Sequence, residues 1–155
     1  MEVGRAMPSD VEPVETLLSA AGLPLDGARE ALALGVVGRE DGRVVAAAAI
    51  ERYGAAGLLR SVVVDEDARG SGLGHAIVAA AEDLARAEGI GDLYLLTETA
   101  IDWFPRLGYG VVERPAAAAV VGESIEFTTV CRDTGVPMCK HLGWSREPVR
   151  ATDLR

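Results

Sequence analysis

Residues 62–74 read Val62-Val63-Val64-Asp65-Glu66-Asp67-Ala68-Arg69-Gly70-Ser71-Gly72-Leu73-Gly74, an apolar β-branched run, an acidic turn, then three alternating glycines. Leu58 to Val64 has the composition of a strand. Beyond the glycines, residues 74–88 place Ile77, Val78, Ala81, Leu84 and Ala85 on one helical face, and Gly89 ends that helix. Asp92 to Thr97 then reads as a buried strand. Strand, crossover helix and strand make a βαβ unit, so a parallel pair is expected inside a mixed sheet. The glycines let backbone N–H groups converge on one point without Cβ obstruction, and the helix N-terminus adds partial positive charge. Arg69 can offer a planar fork to a phosphate. The turn reads as an anion cradle suited to a pyrophosphate. A glycine-rich turn with no ligand is the plainer alternative.

Working outward, Glu2 to Met7 reads as a first strand. Ser9-Asp10-Val11-Glu12 has capping-box spacing before a helix carrying Val11, Val14, Leu17, Leu18 and Ala21. Gly22 and Pro24 stop it, and Asp26 to Leu34 reads as a shorter helix. Val36 to Arg39 and Val44 to Ile50 flank Asp41-Gly42, a strong hairpin signal. Thr99 to Leu107 reads as a short helix, and Gly110 to Glu113 and Ile125 to Cys131 as the last strands. Pro115 to Gly122 between them reads as a small-residue loop. The expected order is β-α-α-β-β-β-α-β-α-β-β, an α/β (α+β) fold in one domain over residues 1–142, with a loose polar tail over 143–155.

The chain's 155 residues are 49% hydrophobic and 25% charged, enough for one sizeable core. No apolar run is long enough to cross a membrane, and no signal-peptide pattern opens the chain. Two cysteines cannot staple a fold of this size. A cytoplasmic location is expected. The net charge of −9 sets the chain against nucleic acid as a partner. Lys140 is the single lysine. That composition suits a salt-loving host or a GC-rich genome alike.

Two nucleotide motifs fail on residues. A Walker loop needs lysine and Ser/Thr after its last glycine, where His75-Ala76 stand. A Rossmann turn needs G-x-G-x-x-G and an acidic residue ending the next strand. What the stretch resembles is the acyl-coenzyme A signature of the GNAT N-acetyltransferases, Q/R-x-x-G-x-G/A after a V-x-V strand. Trp103-Phe104-Pro105-Arg106-Leu107-Gly108-Tyr109 is similar to the family's F-Y-x-x-x-G-F ending, and the strand order matches over residues 1 to 131. A narrower resemblance joins Tyr53-Gly54, Leu59-Arg60-Ser61, Leu95 to Ala100, Glu126-Phe127, Cys131 and Met138-x-Lys140-x-Leu142. It points to the acetyltransferase domain of N-acetylglutamate synthase and to the N-acetyltransferases of arsenic-resistance operons. Arg132 departs from that pattern, which has proline there.

The resemblance implies a mixed six- to seven-stranded sheet whose central parallel strands splay apart, with the pantetheine arm of acetyl-CoA in the gap. Val62, Val63 and Val64 would pair with that arm. Arg69, Gly70, Ser71, Gly72, Leu73 and Gly74 would hold the pyrophosphate, with His75 nearby. The acceptor amine would attack the thioester directly, which calls for a base, oxyanion donors and an acid. The backbone N–H of Val62 or Val63 is the expected oxyanion donor. Glu51 and Glu98 are the expected bases, with a solvated surface carboxylate the plainer reading of each.

Phe104 stands where the family has its tyrosine acid. Tyr109 is expected to pack beneath the sheet, and Thr97, Thr99 and Ser61 are weaker donors. A thiolate leaving group can take its proton from water near neutral pH. Arg60 and Arg106 could grip an acceptor carboxylate, with Ser61, Thr97 and Trp103 around it. Surface arginines and a core tryptophan are the plainer readings. Cys131, Cys139 and His141 form C-x7-C-x-H, which matches no zinc spacing, and no metal is expected. The expected function is therefore acetyl-CoA-dependent N-acetylation of a small amine, an amino acid or toxic analogue, in arsenic resistance. The alternative is a non-catalytic acetyl-CoA-binding or metalloid-responsive module. A homodimer is the expected assembly.

Overall fold

The computed structural model describes residues 2–130 and 134–143. Its seven strands form one mixed sheet in the order β1-β2-β3-β4-β5-β7-β6. These are β1 (Glu2–Arg5), β2 (Gly35–Glu40), β3 (Arg43–Tyr53), β4 (Ala56–Val64), β5 (Asp92–Thr97), β6 (Gly110–Val111) and β7 (Val136–His141). The β2–β3 hairpin turns at Asp41 and Gly42 with φ of 52° and 80°, the left-handed pair that Asp-Gly favours.

The central crossover helix, α3 (Leu73–Ala87), packs on one face of the sheet. Ile77, Val78, Ala81 and Ala85 meet Ile50, Leu59, Leu93 and Leu95 there. On the other face, α1 (Val11–Ala20) and α2 (Ala28–Ala31) bury Val14, Leu18 and Ala28 against Val37, Ala47 and Val63. There α4 (Arg114–Val121) covers Leu58 with Ala117 and Val121.

Several elements differ from the sequence reading. The Ser9/Glu12 capping box does not form. Pro8–Asp10 makes a 3-10 turn instead, and buried Asp10 accepts the Met7 N–H at 2.8 Å and Arg39 at 2.7 Å. The expected loop at Pro115–Gly122 is helix α4. Pro115 sits in its first turn, where a missing N–H costs nothing, and Ala116 to Ala119 are the best helix formers available.

The expected strand at 125–131 is a π-helical turn over Glu126–Val130, and Cys131 lies outside the described residues. Ser124 closes that turn: its hydroxyl accepts the Glu126 N–H at 3.1 Å, and its carbonyl accepts those of Phe127 and Thr128. The last strand is β7, in a stretch to which the sequence reading assigns no strand. The expected helix at 99–107 shrinks to a 3-10 turn, Phe104–Leu107, closed by Gly108 at φ 99°. The expected tail lies outside the described residues from 144 onward.

Candidate active site

β4 and β5 are parallel neighbours only where Ala56–Leu58 face Asp92–Tyr94. Beyond those residues they diverge, because β5 stays paired with β7 along its whole length while β4 stays with β3. Among the described residues, the edge of Leu59–Val64 that faces β5 therefore has no strand partner. A bulge adds to the divergence: the β3–β4 register slips between Ala47 and Ala49, and Ser61 takes φ 57°. A serine in the left-handed region is uncommon and marks a local strain.

Two cavities open at the splay. The first, about 640 Å³, runs along Val62, Val63 and Val64 to Arg69, Gly70, Gly72 and Gly74, with Trp103 and Phe104 on its wall. The second, about 230 Å³, is lined by Arg60, Ser61, Thr97, Glu98, Pro24 and Glu126, among others. They share Ala21, Leu23, Val62, Thr99, Ala100 and Phe104, so one opens into the other.

Gly70 and Gly72 have φ of 85° and 81°, and a Cβ added at either would meet nothing within 4 Å. Backbone conformation, not crowding, therefore selects glycine there, leaving open space over the α3 N-terminus. Arg69 donates Nε–H to the Val64 carbonyl at 3.1 Å, which ties its side chain to the end of β4 beside the first cavity. Gly74 is different: a Cβ would lie 3.1 Å from Trp103 Cζ2, so the ring packs directly on the helix start. Ser71 and His75 are exposed and Leu73 is buried in the core; none of the three lines either cavity. His75 meets Trp103 edge-on at 5.8 Å.

The second cavity is built on Arg60, whose side chain is wholly buried. Its Nη1 donates to Glu51 Oε2 at 2.8 Å, Nη2 to the Asp26 carbonyl at 2.5 Å, and Nε to Ser61 Oγ at 3.1 Å. Glu126 Oε2 lies 3.6 Å from the same Nε. Tyr53 donates its hydroxyl to Glu51 Oε1 at 2.7 Å, and burial together with that carboxylate pushes its phenol up to about 12. Burial raises the Glu126 carboxyl to about 7, with Glu51 and Glu98 adding and Arg60 opposing. Glu126 carries no expected role in the sequence reading. The available signal is one acid inside the apolar run Ile125 to Phe127.

The other expected site residues fall variously. Glu51 is tied to Arg60 and Tyr53. Glu98 is exposed at the cavity rim and accepts from the Thr134 hydroxyl. Thr97 is buried, its Oγ1 accepting the Ala100 N–H at 2.9 Å. Two placements differ from expectation. Trp103 walls the glycine-turn cavity instead of the second one, because it stacks on Gly74. Arg106 is exposed and lines neither cavity, since Phe104 takes the buried side of their 3-10 turn.

Tyr109 is buried, as its motif position suggests. Its hydroxyl donates to Glu82 Oε2 at 2.8 Å, and Lys140 Nζ sits 3.0 Å from both Glu82 oxygens. Burial and Glu82 push that phenol far up. Cys139 faces Tyr94 across β5–β7, its thiol raised by burial, and His141 pairs with Asp92 at 2.6 Å. Among the described residues no cluster of His, Cys, Asp or Glu is placed to hold a metal ion.

A sheet split between two parallel strands, with a glycine cradle at one side and a charged pocket at the other, defines an acyl-CoA-type transferase fold. The profile of the acetyltransferase (GNAT) family matches residues 8–109, well over half the sequence, and the chain belongs to that family. It is an N-acetyltransferase by class, with acetyl-CoA the family's acyl donor.

The comparison with curated proteins finds no match. Among solved structures, N-acetylglutamate synthase from Neisseria gonorrhoeae, complexed with coenzyme A and N-acetyl-glutamate, aligns with TM-score 0.77 and 18% identity over 92% of this chain. This chain spans 35% of that one. Rv2747 from Mycobacterium tuberculosis, in complex with CoA and NLQ, aligns with TM-score 0.72 and 24% identity over 91% of this chain and 99% of that one. PaiA N-acetyltransferase from Thermoplasma acidophilum, in complex with coenzyme A, gives 0.65 and 12% over 90% and 98%. These likenesses establish the fold.

Proposed function

We propose that the protein acetylates the amine of a small molecule, an amino acid or a toxic amino-acid analogue, with arsenic resistance as its setting. The observation that carries this reading is the junction of the two cavities at the β4–β5 splay. A donor lying along the glycine turn and an acceptor seated by Arg60 would meet at Val62. Acetyl-CoA, when bound, supplies the acetyl group activated as a thioester.

The chain's own residues fit that donor. The open N–H groups of residues 70–74 suit a pyrophosphate, and Arg69 adds a cation. The unpaired edge of Val62–Val64 suits an amide-bearing arm, and a Val62 or Val63 N–H is our choice for polarising the acetyl oxygen. Phe104 lines both cavities and can donate no proton, while the Tyr109 hydroxyl is spent on Glu82 in the core. The leaving thiolate therefore takes its proton from water, which its pKa permits.

The acceptor class rests on Arg60. Arg60 lines the cavity and brings a fixed positive charge to its wall, which favours an acceptor that carries a carboxylate. The N-acetyl-glutamate bound by the gonococcal enzyme supports an amino-acid acceptor. A cytoplasmic setting and a homodimer complete the proposal, the latter open to light scattering.

Thiol release from acetyl-CoA across a panel of amino acids and their analogues, with and without arsenite, tests the reading, with acetyl-CoA binding followed by calorimetry. Acceptor-dependent release names the substrate. Binding without release for every acceptor would return weight to a binding module.

A further inference from the structure

We propose that Glu126 is the general base that takes the proton from the acceptor's ammonium group. This rests on the transferase reading above and adds the residue that makes the amine nucleophilic. The N–H bond of the bound ammonium breaks, the proton goes to a Glu126 carboxylate oxygen, and the electron pair stays on nitrogen. The proton passes to solvent once product leaves the cavity.

Geometry separates the three carboxylates around this cavity. Glu51 has both oxygens occupied, one by Arg60 and one by the Tyr53 hydroxyl. It is held as the counter-ion of a buried arginine and does not line the cavity. Glu98 is exposed, so water reaches it freely. Glu126 lines the cavity, its side chain is 7% exposed, and among the described residues no group donates a hydrogen bond to its carboxylate. Among the described residues its nearest cation, Arg60, stands 3.6 Å away with its shorter contact already given to Glu51. A buried carboxylate to which no described residue donates, facing a cavity that receives an ammonium, is completed by that ammonium.

The backbone fixes this placement. Ser124, 1% exposed, accepts the N–H groups of Glu126, Phe127 and Thr128, the first through its hydroxyl and the other two through its carbonyl. The charged groups facing Glu126 are Arg60 from β4, Glu51 from β3 and Glu98 after β5. Burial and the two acids outweigh the arginine, leaving the carboxyl near 7, where a base is both available and strong enough to act.

The pH profile of kcat/KM for wild type, Glu126→Gln and Glu126→Asp provides the test, alongside carbon NMR titration of labelled glutamate carboxyls without substrate. Wild type should lose activity below an apparent pKa near 7, matched by one carboxyl signal titrating there that Glu126→Gln removes. Glu126→Gln should lower kcat about 100-fold or more with acetyl-CoA affinity unchanged, and Glu126→Asp should restore part of it. Glu98→Gln should move the acidic limb to lower pH, because one like charge is gone. Turnover by wild type with Glu126→Gln within a few-fold of it, and the limb unmoved, overturns the inference and leaves the transferase reading standing. Absence of acetyl-CoA binding by wild type sinks both.

Discussion

Arg60 is the residue on which the acceptor cavity depends. A guanidinium with no exposed side-chain surface is tolerable only because Glu51, the Asp26 carbonyl and Ser61 satisfy it. Removing it leaves partly buried Glu51 and buried Glu126 without the cation that both of them face. Arg60→Met should therefore cost about 3–5 kcal/mol in urea unfolding at neutral pH. The companion double variant, Arg60→Met with Glu51→Gln, removes charge from both sides and should recover a large part of that loss. A double variant no more stable than the single one would mean that shape, not charge, sets the cost. Gly27 bears on the same point: at φ 77°, its added Cβ would fall 2.8 Å from Arg60 Nη1, so Gly27→Ala would strain the turn and displace the guanidinium together.

At the scale of elements, the β4 bulge joins the two cavities. Ser61 holds φ 57° while its hydroxyl accepts from Arg60 Nε, so the kink in the strand and the seat of the arginine are one device. Ser61→Val puts a β-branched residue in the left-handed region and strips Nε of its acceptor. A loss of about 2–3 kcal/mol is expected, with weaker acceptor binding and near-normal acetyl-CoA affinity by calorimetry. The central elements are legible from sequence because their signals are local: β-branched runs, Asp41-Gly42, and the periodic face of α3. What escapes depends on distant partners. β7 is a strand because β5 offers it a paired edge from Asp92 to Thr97, and nothing in Val136 to His141 announces that. Thr128, Thr129 and Val130 look like strand residues, yet Ser124 captures the backbone first and turns it. Glu126 shows in the sequence only as an acid in an apolar run, since it is the turn that carries it to Arg60.

On the scale of the whole molecule, a carboxyl poised for catalysis costs stability, and the pH dependence of folding should record it. Burial lifts Glu126 from an ordinary 4.5 to about 7 in the fold. Between those values the folded chain keeps a proton that the unfolded chain has released, so stability falls as pH rises through that window and the loss is complete above it. A shift of this size corresponds to something on the order of 3 kcal/mol, a sizeable share of the stability of a domain this small. Glu126→Gln carries no such charge at any pH. It should be close to wild type in urea unfolding near pH 4.5 and increasingly more stable toward about pH 8, with the difference flattening above 7. A difference that stays constant across the range would show that Glu126 ionises in the fold as it does in water, which would also remove it as a base. Stability that rises where activity is lost would instead tie both to one buried carboxyl, held uncomfortably so that an arriving ammonium is what relieves it.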